Sequence, residues 1–259
     1  MLDYLLGSEI AMKNVKLVIE YDGTNFQGWQ SQKQGRTVQQ EIEKALKIIL
    51  KKEVKIYGSG RTDAGVHALG QTANFKEDFT IPVAKIPYAL NSILPEDISI
   101  QSAQEVPEHF HARYSAIGKK YIYKIYHAPF RSALFRNYAY FIPEPLDIEK
   151  MRKASEYFIG KHDFIGFMAS KSGVSDTVRE IYALKIYDSK GWLTIEIKGN
   201  GFLYNMVRII VGTLVEVGKN KIPLEHIPQI IRSGERKKAG PTAPPQGLYL
   251  AEVYYDSIR

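Results

Sequence analysis

The chain has no cysteine among its 259 residues. It therefore forms no disulfide bond, has no thiol nucleophile and offers no thiolate to a zinc ion. Such a composition suits a reducing compartment, and we expect a cytoplasmic protein. Apolar runs of membrane-spanning length are also missing, and residues 1–6 lack the basic start and long apolar core of a signal peptide. We therefore expect no membrane partner.

Cofactor-binding motifs are missing as well. His109 and His111 have the spacing of metal ligands on a strand, but no third ligand lies nearby in the sequence, so we expect no metal site. The glycine-rich residues 58–65 fail both common nucleotide-binding patterns. Asp63 stands where a dinucleotide motif needs its third glycine, and Val66 stands where a phosphate-binding loop needs lysine. We expect that the protein uses no cofactor.

Excess charge of one sign is confined to one half of the chain. The net charge is +7, from 35 Lys and Arg residues against 28 Asp and Glu residues. Residues 1–115 carry a net charge of −1, whereas residues 116–259 carry +8. A basic second half favours a polyanionic partner such as a nucleic acid. The alternative is a basic surface that serves only solubility.

Hydrophobic periodicity predicts two similar cycles of strands and helices. The first cycle has the order of a ferredoxin-like unit, with strands around residues 15–21, 54–57, 71–75 and 98–104 and helices around 38–49 and 83–94. The second has strands around residues 119–127, 181–187, 193–198 and 248–255 and helices around 148–158 and 205–217.

These cycles predict an α+β protein with two ferredoxin-like, RNA-recognition-motif-like halves. Their sheets are mainly antiparallel and can run together, with helices packed on one face. We expect an N-terminal extension over residues 1–11, a first domain over residues 12–115 that carries the glycine-rich loop, and a basic second domain over residues 116–259.

The most informative segment is residues 58–68, with the sequence GSGRTDAGVHA. Its three glycines permit a tight loop after the strand predicted at residues 54–57. The loop carries the carboxylate of Asp63 between Arg61 and His67. Catalytic groups are common on loops held by a rigid sheet. The alternative is that Asp63 has only a structural role, as a turn residue. His67 is open to two interpretations, a general base or a structural residue.

This segment resembles the active-site loop of the tRNA pseudouridine synthase A family, whose signature reads GRTDAGVHA. Further matches to that family follow in the same order between residues 15 and 255. They are YDGT at 21–24, GWQ at 28–30, RTVQ at 36–39, FHAR at 110–113, YIY at 121–123, GFLYNMVR at 201–208, GPTAP at 240–244 and GLYL at 247–250.

The resemblance implies that Asp63 is the catalytic nucleophile and that Tyr121 stacks on the target base. Attack on the ribose C1′, attack on the base C6 and assistance to removal of a sugar proton all stay open for Asp63. Around Tyr121, aromatic residues alternate with lysines, a pattern typical of sites for an unstacked nucleotide. The same alternation also suits tyrosines that face a core.

Arg208 lies in the first turn of a predicted helix that is apolar on nearly every side. Such a helix is buried, so its arginine needs a countercharge unless it reaches solvent at the helix start. The family pairs this arginine with the catalytic Asp63, which makes Arg208 a substrate-site residue. Arg61 is expected to contact phosphate or help extrude the base. Further possible RNA contacts are Arg36, Arg113, Lys119 and Lys120.

The function implied by the resemblance is isomerisation of uridine to pseudouridine at tRNA positions 38, 39 and 40 in the anticodon arm, by a homodimer without a cofactor. Modification of neighbouring positions favours recognition of RNA shape rather than sequence. One alternative is a non-catalytic RNA-binding module, because residues 198–203 partly imitate an RNA-recognition motif. Asn200 and Asn205 occupy two aromatic positions of that motif, however. The other alternative is a small-molecule enzyme using the glycine-rich loop, which the failed motif spacing and the charge asymmetry disfavour.

Overall fold

The computed structural model describes residues 12–169 and 174–256, so the predicted N-terminal extension lies outside the described residues. The helices are α1 (Val38–Leu50), α2 (Ile86–Asn91), α3 (Ile148–Glu156), α4 (Met206–Gly218) and α5 (Ile227–Ser233). The strands are β1 (Met12–Tyr21), β2 (Tyr57–Gly58), β3 (His67–Asp78), β4 (Ile98–Val106), β5 (Gly118–His127), β6 (Tyr140–Ile142), β7 (Gly160–Asp163), β8 (Val178–Ser189), β9 (Trp192–Gly199) and β10 (Leu248–Tyr254). Within these ranges, no helix is long and apolar enough to cross a membrane.

All of these strands belong to one sheet. Its main path runs β4-β1-β3-β10-β5-β9-β8-β7, with β2 paired to β3 and β6 paired to β5. Only the β3–β10 and β5–β6 pairs are parallel among the described strands. The predicted α+β class with a mainly antiparallel sheet is confirmed. The division of the chain into two ferredoxin-like domains stays a prediction.

Strand β10 joins the two halves of the sheet. Near the end of the chain it inserts between β3 and β5, where Leu250 lies opposite Ala68 on one side and Tyr121 on the other. β3 begins at His67, directly after the glycine-rich loop. The insertion therefore brings the Asp63 loop of the first half beside the Tyr121 strand of the second half.

The strand predicted at residues 54–57 is wrong in extent, since only Tyr57 and Gly58 pair with β3. Val54 and Ile56 are buried as the alternation predicts. The backbone of Ile56, however, bonds to side chains of α1. Its N–H donates to Glu43 Oε1 (3.2 Å), and its carbonyl accepts from Gln39 Nε2 (3.3 Å). Side-chain hydrogen bonds thus replace a strand ladder there.

The helix predicted at residues 83–94 is also too long. A 3₁₀ turn over Val83–Lys85 precedes α2, which ends at Asn91. The Asn91 amide then accepts from the Ile100 N–H (2.7 Å) and donates to the Ile100 carbonyl (3.0 Å). A side chain that pairs with backbone in this way competes with continuation of the helix. The short elements β6, β7 and α5 have no counterpart in the sequence prediction.

Helix α4 is the buried helix that the sequence predicts, with 11 of its 13 residues buried. Residues 240–243 run against it at backbone contact. A Cβ on Gly212 would lie 1.8 Å from the Pro241 carbonyl oxygen, and a Cβ on Gly240 would lie 2.6 Å from the Thr213 backbone. The Ala243 N–H donates to the Arg208 carbonyl (3.0 Å). The two glycines therefore fix Ala243 beside the first turns of α4.

We expect Gly212→Ala to lower the free energy of unfolding by about 1–3 kcal/mol, measured by urea denaturation, because the added methyl group overpacks the contact. Intrinsic helix propensity alone would change stability in the opposite direction, by about 1 kcal/mol.

Gly218→Ala in the same helix is the matched control. Its Cβ would lie 2.7 Å from Sδ and 2.9 Å from Cγ of Met151, and a side chain can change its rotamer more readily than a backbone carbonyl can move. An equal loss of stability in both variants would show that close backbone approach at Gly212 is not the constraint.

Candidate active site

The glycine-rich loop is fixed to β3 where it begins. The Ser59 N–H donates to the Thr72 carbonyl (2.7 Å), and its hydroxyl donates to Gln71 Oε1 (2.7 Å). Gln71 Nε2 donates in turn to the Gly60 carbonyl (3.0 Å). Because Ser59 and Gln71 are buried, these bonds hold the first part of the loop rigidly.

The backbone on both sides of Asp63 is held as well. The hydroxyls of Thr62 and Tyr21 are hydrogen-bonded at 2.7 Å in a buried position. The Val66 N–H donates to the Asp63 carbonyl (3.1 Å) across a turn in which Gly65 has a φ of 76°. Glycine reaches this left-handed conformation without strain. Gly28 packs against the other side, where a Cβ would lie 2.5 Å from the Thr62 carbonyl oxygen.

His67 fastens the end of the loop. Its Nδ1 accepts from the Gly23 N–H (3.0 Å), so its Nε2 is the nitrogen that donates to the Asn137 carbonyl (2.9 Å). The ring stacks on Tyr249 at 4.8 Å and is 2% exposed. Burial lowers the pKa of His67, and the charge of Asp22 opposes this only in part. Of the two interpretations, this geometry favours the structural one.

Asp63 and Arg208 are in contact, with Nη1 and Oδ2 3.2 Å apart. Two further oxygens accept from the guanidinium of Arg208: Nε donates to the Ala243 carbonyl (2.7 Å) and Nη1 to Asn205 Oδ1 (2.9 Å). The side chain of Arg208 is 15% exposed and that of Asp63 is 25% exposed. The arginine is thus aimed at the carboxylate rather than at solvent.

The carboxylate of Asp63 is incompletely stabilised. Burial raises its pKa, and the charge and hydrogen bond of Arg208 lower it by less. Burial disfavours the charged form because it removes water from the anion. A perturbed carboxyl group beside a fixed cation in a cleft is typical of a functional site.

Tyr121 lies across β10 from the loop and is 8% exposed. Its ring makes an edge-to-face contact with Phe202, at 5.2 Å between centroids and 87° between planes. Burial raises the pKa of Tyr121, and the neighbouring Tyr21 and Asp63 raise it further. The phenol is therefore neutral across the physiological pH range.

An open cleft of about 1390 Å³ collects most of the residues expected from the sequence. Six of them line it: Asp63, Tyr121, Arg208, Arg61, Arg113 and Lys119. Residues from both halves of the chain form its walls. Within the described ranges there is no group of three or more side chains able to hold a metal ion.

The basic residues of the cleft differ in freedom. Arg61 is exposed and donates from Nε to Gln30 Oε1 (2.8 Å). Lys119 donates from Nζ to the Ser59 carbonyl (2.9 Å). Burial, and the charge of Arg113 to a lesser degree, lower the pKa of Lys119 to about 8. A bound anion would favour its charged form.

Two residues expected to contact RNA do not line the cleft. Arg36 forms two hydrogen bonds with the Asp97 carboxylate, at 2.6 and 2.8 Å, and its guanidinium lies 4.2 Å from the Phe26 ring centre. Lys120 pairs with Glu196 at 3.1 Å. A role in RNA binding for either would compete with these pairs.

Two contributors were missed by sequence reasoning, Asn205 and the Ala243 carbonyl. Asn205 precedes α4 with a φ of 61°, a conformation in which asparagine is enriched among non-glycine residues. The sequence signal for this conformation was an asparagine just before a predicted helix. A backbone carbonyl carries no signal in the sequence, so the role of Ala243 is visible only in the fold.

The sequence of this chain is similar to those of a known family. A family model described as tRNA pseudouridine synthase matches residues 17–115 and 154–256. The tRNA pseudouridine synthase A of Ruminiclostridium cellulolyticum is 52% identical over 245 residues, covering 94% of this chain and 100% of its own. That of Acetivibrio thermocellus is 54% identical over 244 residues, with the same coverage. Among solved structures, the archaeal box H/ACA sRNP Nop10–Cbf5 complex aligns with 92% of this chain and 46% of its own, at 13% identity and a TM-score of 0.36.

We expect Asp63→Asn to gain stability relative to the wild type as pH rises from about 3 to 7. Because the folded-state pKa of Asp63 is raised, the native protein binds more protons than the unfolded chain between the two pKa values. Wild-type stability therefore falls as pH rises through that window, and the asparagine variant avoids this loss. Urea denaturation at a series of pH values measures the difference.

Asp147→Asn is the control of opposite sign. The N–H of Lys150 donates to the Asp147 carboxylate at the start of α3 and lowers the pKa of this group. The free energy of unfolding of the wild type should therefore exceed that of Asp147→Asn by a growing amount as pH rises. If the stability difference of Asp63→Asn changed with pH in the same direction as that of Asp147→Asn, the ion pair with Arg208 would lower the pKa of Asp63 by more than burial raises it.

Proposed function

The chain belongs to the tRNA pseudouridine synthase family, and we propose that Asp63 is the nucleophile with which it acts on the anticodon arm of tRNA. The reaction is the isomerisation of uridine to pseudouridine in tRNA. The observation that carries our assignment is the contact of a perturbed carboxylate with a fixed arginine inside a large basic cleft.

The chemistry balances without an added reactant. The bond between N1 of uracil and C1′ of ribose breaks, the detached base turns, and C5 bonds to C1′. C5 then loses its hydrogen while N1 gains one. A carboxylate can begin the sequence in three ways. If it attacks C1′, it expels uracil and is displaced in turn when C5 bonds to C1′; if it attacks C6, it is eliminated from C6 after C5 has bonded to C1′. If it assists removal of a sugar proton, that proton returns to the sugar when C5 bonds to C1′. Each route uses Asp63 as an anion, which Arg208 favours.

Arg208 acts as the positioning residue for this anion. Its Nη1 donates both to Asn205 Oδ1 and to Asp63 Oδ2, and the bond from Nε to the Ala243 carbonyl fixes the guanidinium in that orientation. A preorganised charge of this kind needs no reorganisation during the reaction. The pair also keeps the carboxylate in one orientation, so that its attack geometry does not depend on the substrate.

Tyr121 is proposed to stack on the target base after the base leaves the RNA helix. A uridine inside a helical stack cannot be turned over, so it has to be extruded first. Tyr121 borders the cleft beside Asp63, and its neutral ring suits contact with a detached uracil. Arg61 is exposed at the same cleft and can contact the phosphates or occupy the vacated space.

We propose that uridines at tRNA positions 38, 39 and 40 are the targets. Their adjacency requires an enzyme that recognises the shape and phosphates of the arm rather than one base sequence. The basic groups along the cleft, including Arg61, Arg113 and Lys119, support such recognition. They are attached to both halves of the sheet, so a bound arm would contact both halves.

The finer organisation is also a proposal. The order β4-β1-β3, with β2 on the far side of β3, supports a ferredoxin-like first half. We propose a homodimer, supported by the exposed Phe130 and Leu134, which are 83% and 77% accessible and suited to burial against another chain. We also propose a cytoplasmic location, where the tRNA substrate would be found.

We expect Asp63→Asn to abolish pseudouridine formation, with a rate loss of about 10⁴-fold or more, while tRNA binding stays unchanged. Affinity rests on phosphate contacts, whereas the chemistry rests on the carboxylate. Tritium release from C5-labelled uridine in tRNA measures the rate, and filter binding measures affinity.

Asp147→Asn is the activity control, because Asp147 is a half-buried acid that does not line the cleft. If the purified wild-type protein bound tRNA and released no tritium, the chain would be a non-catalytic RNA-binding module. If Asp63→Asn retained its rate, Asp63 would not be the nucleophile.

We expect Arg208→Met to move the acid limb of the kcat/KM profile to higher pH. The charge of Arg208 lowers the pKa of Asp63 below the value that burial alone would produce, so its removal raises that pKa. The acid limb of kcat/KM reports the essential base in the free enzyme. Arg208→Lys, which keeps the charge, should show a smaller shift. If kcat/KM fell by the same factor at every pH and the acid limb stayed in place, Arg208 would not act on the charge of Asp63.

A further inference from the structure

A cluster of exposed rings lies in the cleft and has no part in the chemistry described above. The His111 ring lies 5.3 Å from the Tyr57 ring and 4.5 Å from the Tyr114 ring, measured between centroids. The guanidinium of Arg113 lies 5.6 Å from the Tyr114 ring centre. These four residues line the same cleft as Asp63, and we call them the Tyr114 cluster. Tyr114 is 77% exposed and Tyr57 is 48% exposed.

Buried hydrogen bonds hold the turn that presents this cluster. Asn74 Oδ1 accepts from the Ala112 N–H (2.9 Å), and Asn74 Nδ2 donates to Asn14 Oδ1 (2.9 Å). Asn14 Nδ2 donates in turn to the Phe110 carbonyl (2.9 Å). Both asparagines are buried. The exposed Tyr114 therefore projects from a fixed turn, and an aromatic group held in this way loses little backbone freedom when it binds a partner.

Two cations lie close together here: Arg113 belongs to the Tyr114 cluster, and Lys119 contacts the glycine-rich loop. Tyr57 lies two residues before Ser59, whose carbonyl accepts from Lys119 Nζ. A Cβ on Gly60 would lie 2.3 Å from that nitrogen, so the lysine lies directly over the loop backbone. Arg113 is near enough for its charge to lower the pKa of Lys119. Two neighbouring cations of this kind suit a bound anion.

We propose that the Tyr114 cluster is a second nucleotide subsite, in which a base next to the target uridine stacks on Tyr114 and the linking phosphate binds between Arg113 and Lys119. The inference rests on the proposed function, because it requires tRNA in the cleft. Extrusion of the target base leaves its neighbour without a stacking partner, and an exposed aromatic face replaces that partner. Stacking tolerates any base, which fits an enzyme that acts at several adjacent positions.

The chain supplies a matched control for this subsite. Tyr88 is 74% exposed, and Lys85 Nζ lies 5.5 Å from its ring centre, so it has the exposure and the cation contact of Tyr114. Tyr88 lies on α2 and does not line the cleft. A difference between variants at the two tyrosines therefore reports position in the cleft rather than loss of an exposed ring.

We expect Tyr114→Ala to weaken tRNA binding by about 5- to 150-fold, as loss of one stacked base does, while Tyr88→Ala binds as the wild type does. Tyr114→Phe should keep wild-type affinity because it keeps the ring. Arg113→Gln should reduce the slope of log affinity against log salt by about 0.7, the value for one phosphate of a single strand. Tyr114→Ala should leave that slope unchanged. Circular dichroism checks that each variant is folded.

Target RNAs with one abasic nucleotide at each flanking position test the contact directly. At the stacked position, loss of the base should weaken binding to the wild type but not to Tyr114→Ala, so the two changes are not additive there. Additive effects at every position, or wild-type affinity in Tyr114→Ala, would overturn the subsite. Pseudouridine formation by the wild type is measured separately. If it is present without this coupling, only the subsite is wrong. If it is absent while the coupling is found, the subsite stands and the proposed function is wrong.

Discussion

The candidate site depends on the guanidinium of Arg208, whose side chain is only 15% exposed. It contacts an oxygen from each of three separate places: the Asp63 carboxylate in the loop before β3, the Asn205 amide before α4 and the Ala243 carbonyl after α5. An arginine buried in an apolar helix is tolerated only where its donors are satisfied. The hydrogen bonds that satisfy the donors of Arg208 therefore also hold Asp63, from the first half of the chain, beside α4 of the second half.

Several features far from Asp63 follow from this requirement. Ala243 reaches Arg208 because Gly212 and Gly240 let residues 240–243 approach α4 at backbone distance. Asp63 reaches it because Thr62, Gly65 and His67 fix the loop on both sides. Strand β10 then connects the two sets of contacts through the sheet. A small displacement of any of these elements would change the geometry of the pair.

The cleft combines a rigid centre with more accessible walls. Asp63, Arg208 and Tyr121 are held by packing and internal hydrogen bonds, whereas Arg61, Arg113 and Tyr114 are exposed to solvent. The balance of burial and ion pairing leaves Asp63, the nucleophile that we propose, with a raised pKa, so its ionisation lowers the stability of the folded protein. The exposed groups can adapt to the phosphates and bases of a nucleic acid without disturbing that centre.

Local sequence pattern predicts the strongly periodic elements and the residue types at the candidate site. The buried helix α4, the alternating strand β5 and the loop with Asp63 followed from local periodicity, from glycine spacing and from resemblance to a family.

The strand at residues 54–57 and the helix at 83–94 were wrong in extent because Glu43, Gln39 and Asn91 bond to backbone groups that are distant along the chain. Three features are visible only in the fold: β10 inserts between β3 and β5, the Ala243 carbonyl orients Arg208, and Arg36 and Lys120 form ion pairs outside the cleft. These outcomes depend on contacts between residues far apart in sequence, and local pattern carries no information about which distant partner satisfies a given charge or backbone group.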